Sequence, residues 1–293
     1  MDIKRLRNTI LAGAALLLSP LVQLQAATTA DILFVVDESG SMSTEHAWIG
    51  NMVGALDTAL TGAGVSGNQY GLIGFGGSTS HGTAGHKHTV GSGDFGTAAE
   101  LATATSSLVL SGRTEDGYSG IDVGLNNYAF RSGAAVNVIL ITDEDRDILS
   151  GSTNTYANIL GLLQGKNALL NAVVNARSTS SALGIDGTDS YFEDGTGFTK
   201  SAGGVGTSGA GTTLTDYVNL ALASGGGAWD LNKLRAGGVT ATAFTAAFVD
   251  LKVAEIIIQP PVGQVPIPAA AFLFAPALLG FLGLRRKAKN NLA

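Results

Sequence analysis

Four apolar runs of strand length, residues 32–36, 70–75, 136–141 and 169–174, stand at wide intervals along the middle of the chain. They are continuous rather than alternating, and the run at 136–141 is almost wholly β-branched and aliphatic, as in a parallel strand buried on both faces. Between and after them, apolar positions recur with helical spacing at 45–60, 97–108, 118–128, 155–163, 214–222 and 241–256. Strands separated by helical segments predict crossover connections, and so an α/β fold. The expected architecture is a Rossmann-like, doubly wound, mostly parallel sheet flanked by helices, one domain spanning 30–258. The glycine-rich stretch 180–211 has no clear period and reads as hairpins or a surface excursion. Residues 259–264 (QPPVGQ) read as a linker, because consecutive prolines cannot continue a helix.

The two ends carry different patterns. Lys4, Arg5 and Arg7 precede an apolar run at 10–22 and then Leu24-Gln25-Ala26, the layout of a secretory signal peptide over residues 1–26, cleaved by signal peptidase after Ala26. An N-terminal anchor is the alternative, for which the run is short. At the other end Val265-Pro266-Ile267-Pro268-Ala269 leads into an apolar stretch at 270–284 and a basic cluster, Arg285-Arg286-Lys287-Ala288-Lys289. The cluster would keep the C-terminus cytoplasmic and the domain outside the inner membrane. The tail, 265–293, resembles a PEP-CTERM sorting signal of the VPxPA variant found in Gram-negative bacteria, with Ile267 in place of the more usual acidic residue or leucine. That resemblance implies an exosortase-type processing protease and delivery to the cell surface or its exopolysaccharide matrix. A plain C-terminal transmembrane helix is the other reading, and under both the domain is exported.

Composition narrows the chemistry. There is no cysteine among the 293 residues, which removes disulfides, thiolate metal sites and cysteine nucleophiles. The formal net charge of −6 understates the acidity of the body, since basic residues are concentrated at the two ends. Such a body repels phosphate backbones and attracts cations, so nucleic acid is excluded as a partner.

Directly after the first predicted strand comes Asp37-Glu38-Ser39-Gly40-Ser41, a carboxylate and two hydroxyls on one loop opening a helix. Parallel α/β sheets bind ligands at the carboxyl ends of their strands. The third strand ends in Thr142-Asp143, bringing a second carboxylate to that edge, and the loop 112–117 can add Thr114. An all-oxygen set is hard and suits magnesium or manganese better than zinc, with calcium a further candidate. These residues resemble the metal-ion-dependent adhesion site of the von Willebrand factor type A family, whose pattern is DxSxS, then a threonine, then an aspartate. The resemblance implies that Ser39, Ser41 and Thr114 ligate directly while Asp37 and Asp143 act largely through water. It also implies that the cation accepts a carboxylate from a protein or polysaccharide partner. Asp37 as a helix cap, with the serines as turn residues, is the structural alternative.

Other motifs point elsewhere or nowhere. Asp143, Asp145 and Asp147 begin like a calcium loop, but Ile148 stands where glycine is needed and Asn154 where glutamate is needed. Asp145 and Asp147, together with Asp116, could tune the site or hold a second cation. His81, His86 and His88 could bind a transition metal, but their glycine-rich surroundings favour solvated loop histidines. Trp229 reads as core. No GxSxG elbow is present and no serine-histidine-acid triad can be assembled, so the chain is expected not to be an enzyme. The leading expectation is an exported adhesion module, with a structural matrix protein as the alternative.

Overall fold

The computed structural model describes residues 27–78 and 80–260. The first strand, β1 (Ala30–Asp37), is followed by α1 (Ser43–Gly62), β2 (Gln69–Phe75), the short β3 (His86–His88) and β4 (Phe95–Gly96), and α2 (Ala98–Ala104). Then come α3 (Gly117–Asn127), β5 (Ala135–Thr142), α4 (Tyr156–Gly165), β6 (Leu169–Val174) and five short strands: β7 (Ala176–Ser178), β8 (Gly184–Ile185), β9 (Asp189–Glu193), β10 (Phe198–Ala202) and β11 (Thr207–Gly209). The chain continues through α5 (Asn219–Ser224), β12 (Ala228–Asp230), α6 (Leu231–Arg235) and α7 (Gly238–Ile258).

Ten of these strands form one sheet in the order β10-β9-β8-β12-β6-β5-β1-β2-β3, with β4 also paired to β2. The centre, β12-β6-β5-β1-β2, is parallel. Both margins turn antiparallel, through β3 and β4 beside β2 and through β8, β9 and β10 beyond β12. The expected mostly parallel α/β sheet is thus present, and the glycine-rich stretch supplies hairpins that lengthen it.

Period-two alternation along β1 sends Ile32, Phe34 and Val36 to one face and Leu33 and Val35 to the other, and all five are fully buried. The first face packs under α1, α2, α6 and α7, where Trp229 lies 5.6 and 5.2 Å from Phe244 and Phe248 in edge-on ring contacts. Trp229 is core, as expected, and its indole N–H donates to Asn171 Oδ1 at 3.0 Å. The second face packs under α3, α4 and α5.

Local chemistry adjusts several boundaries. The helix expected at 97–108 closes early: Thr97 and Glu100 form a capping box at its start, and after Ala104 the chain tightens into a 3-10 turn, Thr105–Ser107. The helix expected at 214–222 begins instead as a π turn, Thr213–Val218, before α5. Gln259, placed at the start of the linker, belongs to the domain. Its amide donates to Val136 O at 2.7 Å and accepts from Asn137 Nδ2 at 2.6 Å, closing a buried polar network with Lys252, Glu255 and Asn171. Such a network stabilises only when every member is satisfied, which ties α7 to β5 and β6 in one register. Among the described residues no helix is long and apolar enough to cross a membrane. The signals expected at 1–26 and at 265–293 (Val265, Pro266, Pro268, Ala269, Arg285 and Arg286 among them) lie outside the described residues.

Candidate metal centres

At the carboxyl end of β1, Asp37 is fully buried. Its Oδ1 accepts the backbone N–H of Ser39 at 2.7 Å, and its Oδ2 accepts the Thr142 hydroxyl at 2.7 Å from the end of the adjacent β5. Ser41 Oγ donates to Asp143 Oδ1 at 3.0 Å. Since its one proton is used there, Ser39 Oγ must donate to Ser41 Oγ in their 3.2 Å contact. Strand register therefore brings Asp37, Ser39, Ser41 and Asp143 into one hydrogen-bonded chain.

The loop carrying Thr114 reaches the same edge through glycine. Gly112, at φ +152°, packs its Cα against the backbone of Gly76, where a Cβ would stand 1.7 Å from Gly76 O. Ser111 N–H donates to Glu38 O at 2.9 Å, fixing this loop against the DxSxS loop. Thr114 is half-buried, and among the described residues its hydroxyl makes no hydrogen bond with the other four. Beside it, Glu115 faces Asp37 across Gly76: a Cβ there would meet Glu115 Cγ at 3.1 Å and Asp37 Oδ1 at 3.2 Å.

These carboxyls are short of positive charge. Burial, reinforced by Asp143, pushes Asp37 up to about 6 against the hydrogen bonds of Thr142 and Ser39. Burial together with Asp37, Asp147, Glu144 and Asp143 pushes Glu115 up to about 8. The cation that does reach the edge is Arg235 from α6, whose Nη2 lies 2.9 Å from Asp143 Oδ2 while its Nε donates to the buried Glu45 at 2.7 Å. An octahedral magnesium shell, with oxygens at about 2.1 Å, has edges of about 3 Å, and the Ser39-Ser41-Asp143 spacings are of that length. The donor chemistry and the unbalanced charge both fit a hard divalent cation.

The acidic residues proposed as accessories are otherwise engaged. Asp116 is buried in a salt bridge with Arg146, Nε to Oδ1 at 2.7 Å, and accepts Leu149 N–H at 3.3 Å; Arg146 in turn stacks on Tyr118, 4.0 Å above the ring centroid. Asp145 accepts the backbone N–H of Thr212 at 3.0 Å, and Asp147 is exposed. A DxDxD spacing reads as a calcium loop only when the three carboxylates turn inward together, and here Asp143 goes to Ser41 and Arg235, Asp145 goes to Thr212 N–H, and Asp147 is exposed.

The histidines overturn the expectation of solvated loops. His81, from the turn that follows β2, joins His86 and His88 of β3 around Glu38, whose side chain is fully buried. His86 and His88 share a face because Lys87 between them takes the other, and β3 is held antiparallel to β2 with His86 opposite Gly74. Glycine at 74 is required: a Cβ would stand 2.5 Å from Glu38 Oε2 and 2.6 Å from His86 Nε2. Glu38 Oε1 lies 3.0 Å from His81 Nδ1 and 3.3 Å from His88 Nε2, and Oε2 lies 2.8 Å from His86 Nε2. Burial opposes ionisation of Glu38, but the three histidines around it and the hydrogen bond from Val109 N–H outweigh it and hold the carboxyl well below its usual range. The remaining histidine, His46, is tied down by donating Nε2–H to Asp37 O at 2.8 Å.

A scan against protein-family models finds no match, and a search of curated proteins finds none. Among solved structures the chain is similar to proximal thread matrix protein 1 of the mussel byssus. Two structures of that protein, one of them described as having a zinc-occupied MIDAS motif, give 18% identity and a TM-score of 0.37, over 50% and 52% of this chain. A second crystal form gives 18% identity and a TM-score of 0.36 over 52% of this chain. The matches span only 36–37% of the mussel protein.

Proposed function

We propose that this chain is an exported, cation-dependent adhesion module that captures a carboxylate-bearing protein or polysaccharide at the cell surface or in the surrounding matrix. The observation that carries this reading is the convergence of Asp37, Ser39, Ser41 and Asp143 at the carboxyl edge of the parallel sheet, where burial and neighbouring carboxylates raise Asp37 to about 6 and Glu115 to about 8. Ser39, Ser41 and Thr114 would hold a magnesium, manganese or calcium ion, with Asp37 and Asp143 behind them. Bound there, the ion supplies a Lewis-acidic centre that a partner carboxylate can join. Asp37 orients the loop through Ser39 N–H, and Thr142 orients Asp37. The resemblance of these five positions to the type A adhesion site supports the same assignment.

Binding rather than catalysis is favoured by what the histidines do. Three surround Glu38, and the one that meets a serine hydroxyl, His88 with Ser107, meets one whose proton already goes to Ala104 O at 2.7 Å. That is not the geometry of a base activating a nucleophile. One observation favours a purely structural role for the ion: Arg235 already pairs with Asp143 and also donates to Ser41 O at 3.1 Å, covering part of the edge.

Calorimetric titration of magnesium, manganese and calcium into the metal-stripped full chain, beside Asp37→Asn and Ser41→Ala, tests the proposal. Saturable one-site binding in the wild type, lost in both variants, is expected, as is retention on polyuronate beads in magnesium but not in chelator. Cation binding without cation-dependent retention on carboxylate ligands would move the structural reading to first place.

A further inference from the structure

The hydrogen bonds behind the histidine cluster determine which ring nitrogens carry protons. Ala84 O can only accept, so its 2.9 Å contact with His86 Nδ1 makes that nitrogen a donor. The Ser107 hydroxyl spends its proton on Ala104 O, so in its 2.7 Å contact with His88 Nδ1 it accepts, and that nitrogen too is a donor. In their neutral forms, His86 and His88 therefore both turn an Nε2 lone pair inward. What they face is a carboxylate, which offers only lone pairs of its own. Glu38 Oε2, His86 Nε2 and His88 Nε2 are all buried without a hydrogen bond, although Glu38 oxygens lie 2.8 and 3.3 Å from the two nitrogens.

Leaving three buried polar atoms unsatisfied costs on the order of 1–3 kcal/mol each, so this arrangement calls for something electropositive at its centre. One proton would join one histidine to Glu38 and leave the other lone pair unmet. Two would place imidazolium rings side by side, with the three ring centroids only 5.1–5.2 Å apart. A single metal ion satisfies all the donors at once. We propose that His81 Nδ1, His86 Nε2, His88 Nε2 and a Glu38 oxygen form a transition-metal site, suited to zinc, separate from the oxygen site on the other side of the same loop; His81 Nδ1 donates to Glu38 Oε1 at 3.0 Å and becomes a ligand by passing its proton to Nε2. Three imidazoles and a carboxylate are the ligands of a borderline-soft ion rather than of magnesium or calcium. Ring N–H groups donated to a carbonyl and a hydroxyl are the usual support behind metal-bound histidines. The donor atoms, all within 4.8 Å of one another, reach a tetrahedral shell, whose edges are about 3.3 Å, if the widest pair draws in by about 1.5 Å. With four protein ligands the site is structural. It clamps β3 and the turn before it to the DxSxS loop, because Glu38 sits between Asp37 and Ser39.

This inference stands independently of the adhesion reading, and one experiment separates them. The full chain, stripped with chelator and returned to neutral pH, is titrated with zinc in excess magnesium, and with cobalt(II) as a spectroscopic stand-in. One equivalent of zinc should bind, and cobalt should give the intense visible absorption of tetrahedral coordination. His86→Gln and His88→Gln should each weaken zinc uptake at least tenfold, while Ser41→Ala leaves it unchanged. No zinc uptake by the wild type, wild-type uptake in the histidine variants, or loss in Ser41→Ala would each overturn the proposal. Should both histidine variants fail to fold, the wild-type cobalt spectrum decides: weak octahedral bands overturn the assignment and tetrahedral bands support it. Loss of magnesium binding with zinc uptake intact would sink the adhesion reading alone.

Discussion

The loop after β1 faces two sites of opposite chemical character. On one side Asp37, Ser39 and Ser41 present hard oxygens to a region short of positive charge; on the other Glu38 stands among three imidazoles. Alternating residues of one short segment serve the two, so a change in backbone position on one side is felt on the other. The difference between them lies in rigidity. The histidine side is enclosed by β2, β3 and the 105–109 segment, and the Nε2 lone pairs of His86 and His88 already face inward. The oxygen side is held by hydrogen bonds that an arriving cation must partly replace, and it is bordered by Arg235, which pairs with Glu45 and Asp143. A preorganised site binds with little further cost, whereas a site that reorganises can respond to what arrives.

The sharpest way to break the contrast is at Gly74. Gly74→Ala drives a methyl group into Glu38 and His86, and overpacking of this kind costs about 1–3 kcal/mol. Zinc uptake should fall by more than tenfold and Tm should drop, read by equilibrium dialysis and calorimetry. Unchanged zinc uptake would mean that Glu38 does not take part.

A smaller effect distinguishes the two sides by pH. Asp37 and Glu115 are raised in the folded state, chiefly by burial, to about 6 and about 8. The unfolded chain ionises these groups first, at about 4, so each costs stability once the pH passes its unfolded value. The metal-free domain should therefore lose stability as pH rises from about 4 towards 8, and the gain in Tm on adding magnesium should grow over the same window. A magnesium effect that stays flat with pH would show that these carboxyls do not sense the cation.

The smallest effect is expected at Thr114. Its hydroxyl makes no hydrogen bond among the described residues, so Thr114→Ala should leave the metal-free stability within about 0.5 kcal/mol of wild type. Magnesium affinity should nevertheless fall roughly tenfold, about 1.4 kcal/mol. Undiminished affinity would restrict the oxygen site to the DxSxS loop and Asp143.

Much of the oxygen side was legible in the residues themselves. Apolar runs buried on both faces predict parallel strands, parallel strands place ligands at their carboxyl ends, and Asp37 and Asp143 follow such runs directly. Arg235 was not legible, since nothing in its neighbourhood signals that α6 returns to this edge. The histidine side was discounted because its carboxylate is the unremarked second residue of the DxSxS motif, 43 residues before the first histidine that contacts it. Two signals were available: the alternation of His86 and His88 around Lys87, and a glycine at 74 inside an apolar strand, which marks close approach by a neighbour.

By itself the sequence determined the four long strands β1, β2, β5 and β6, most of the helices that cover them, and the loop on which the chemistry sits, because hydrophobic period and strand-end position are local properties of the chain. Only the tertiary structure decided which carboxylate met which base. Asp116 went to Arg146 and Glu38 to three histidines because β3 folds back antiparallel on β2 and the 112–117 loop packs on Gly76. Burial then forces each charge to find a partner, and which partner lies within reach is set by packing across distant segments rather than by spacing along the chain.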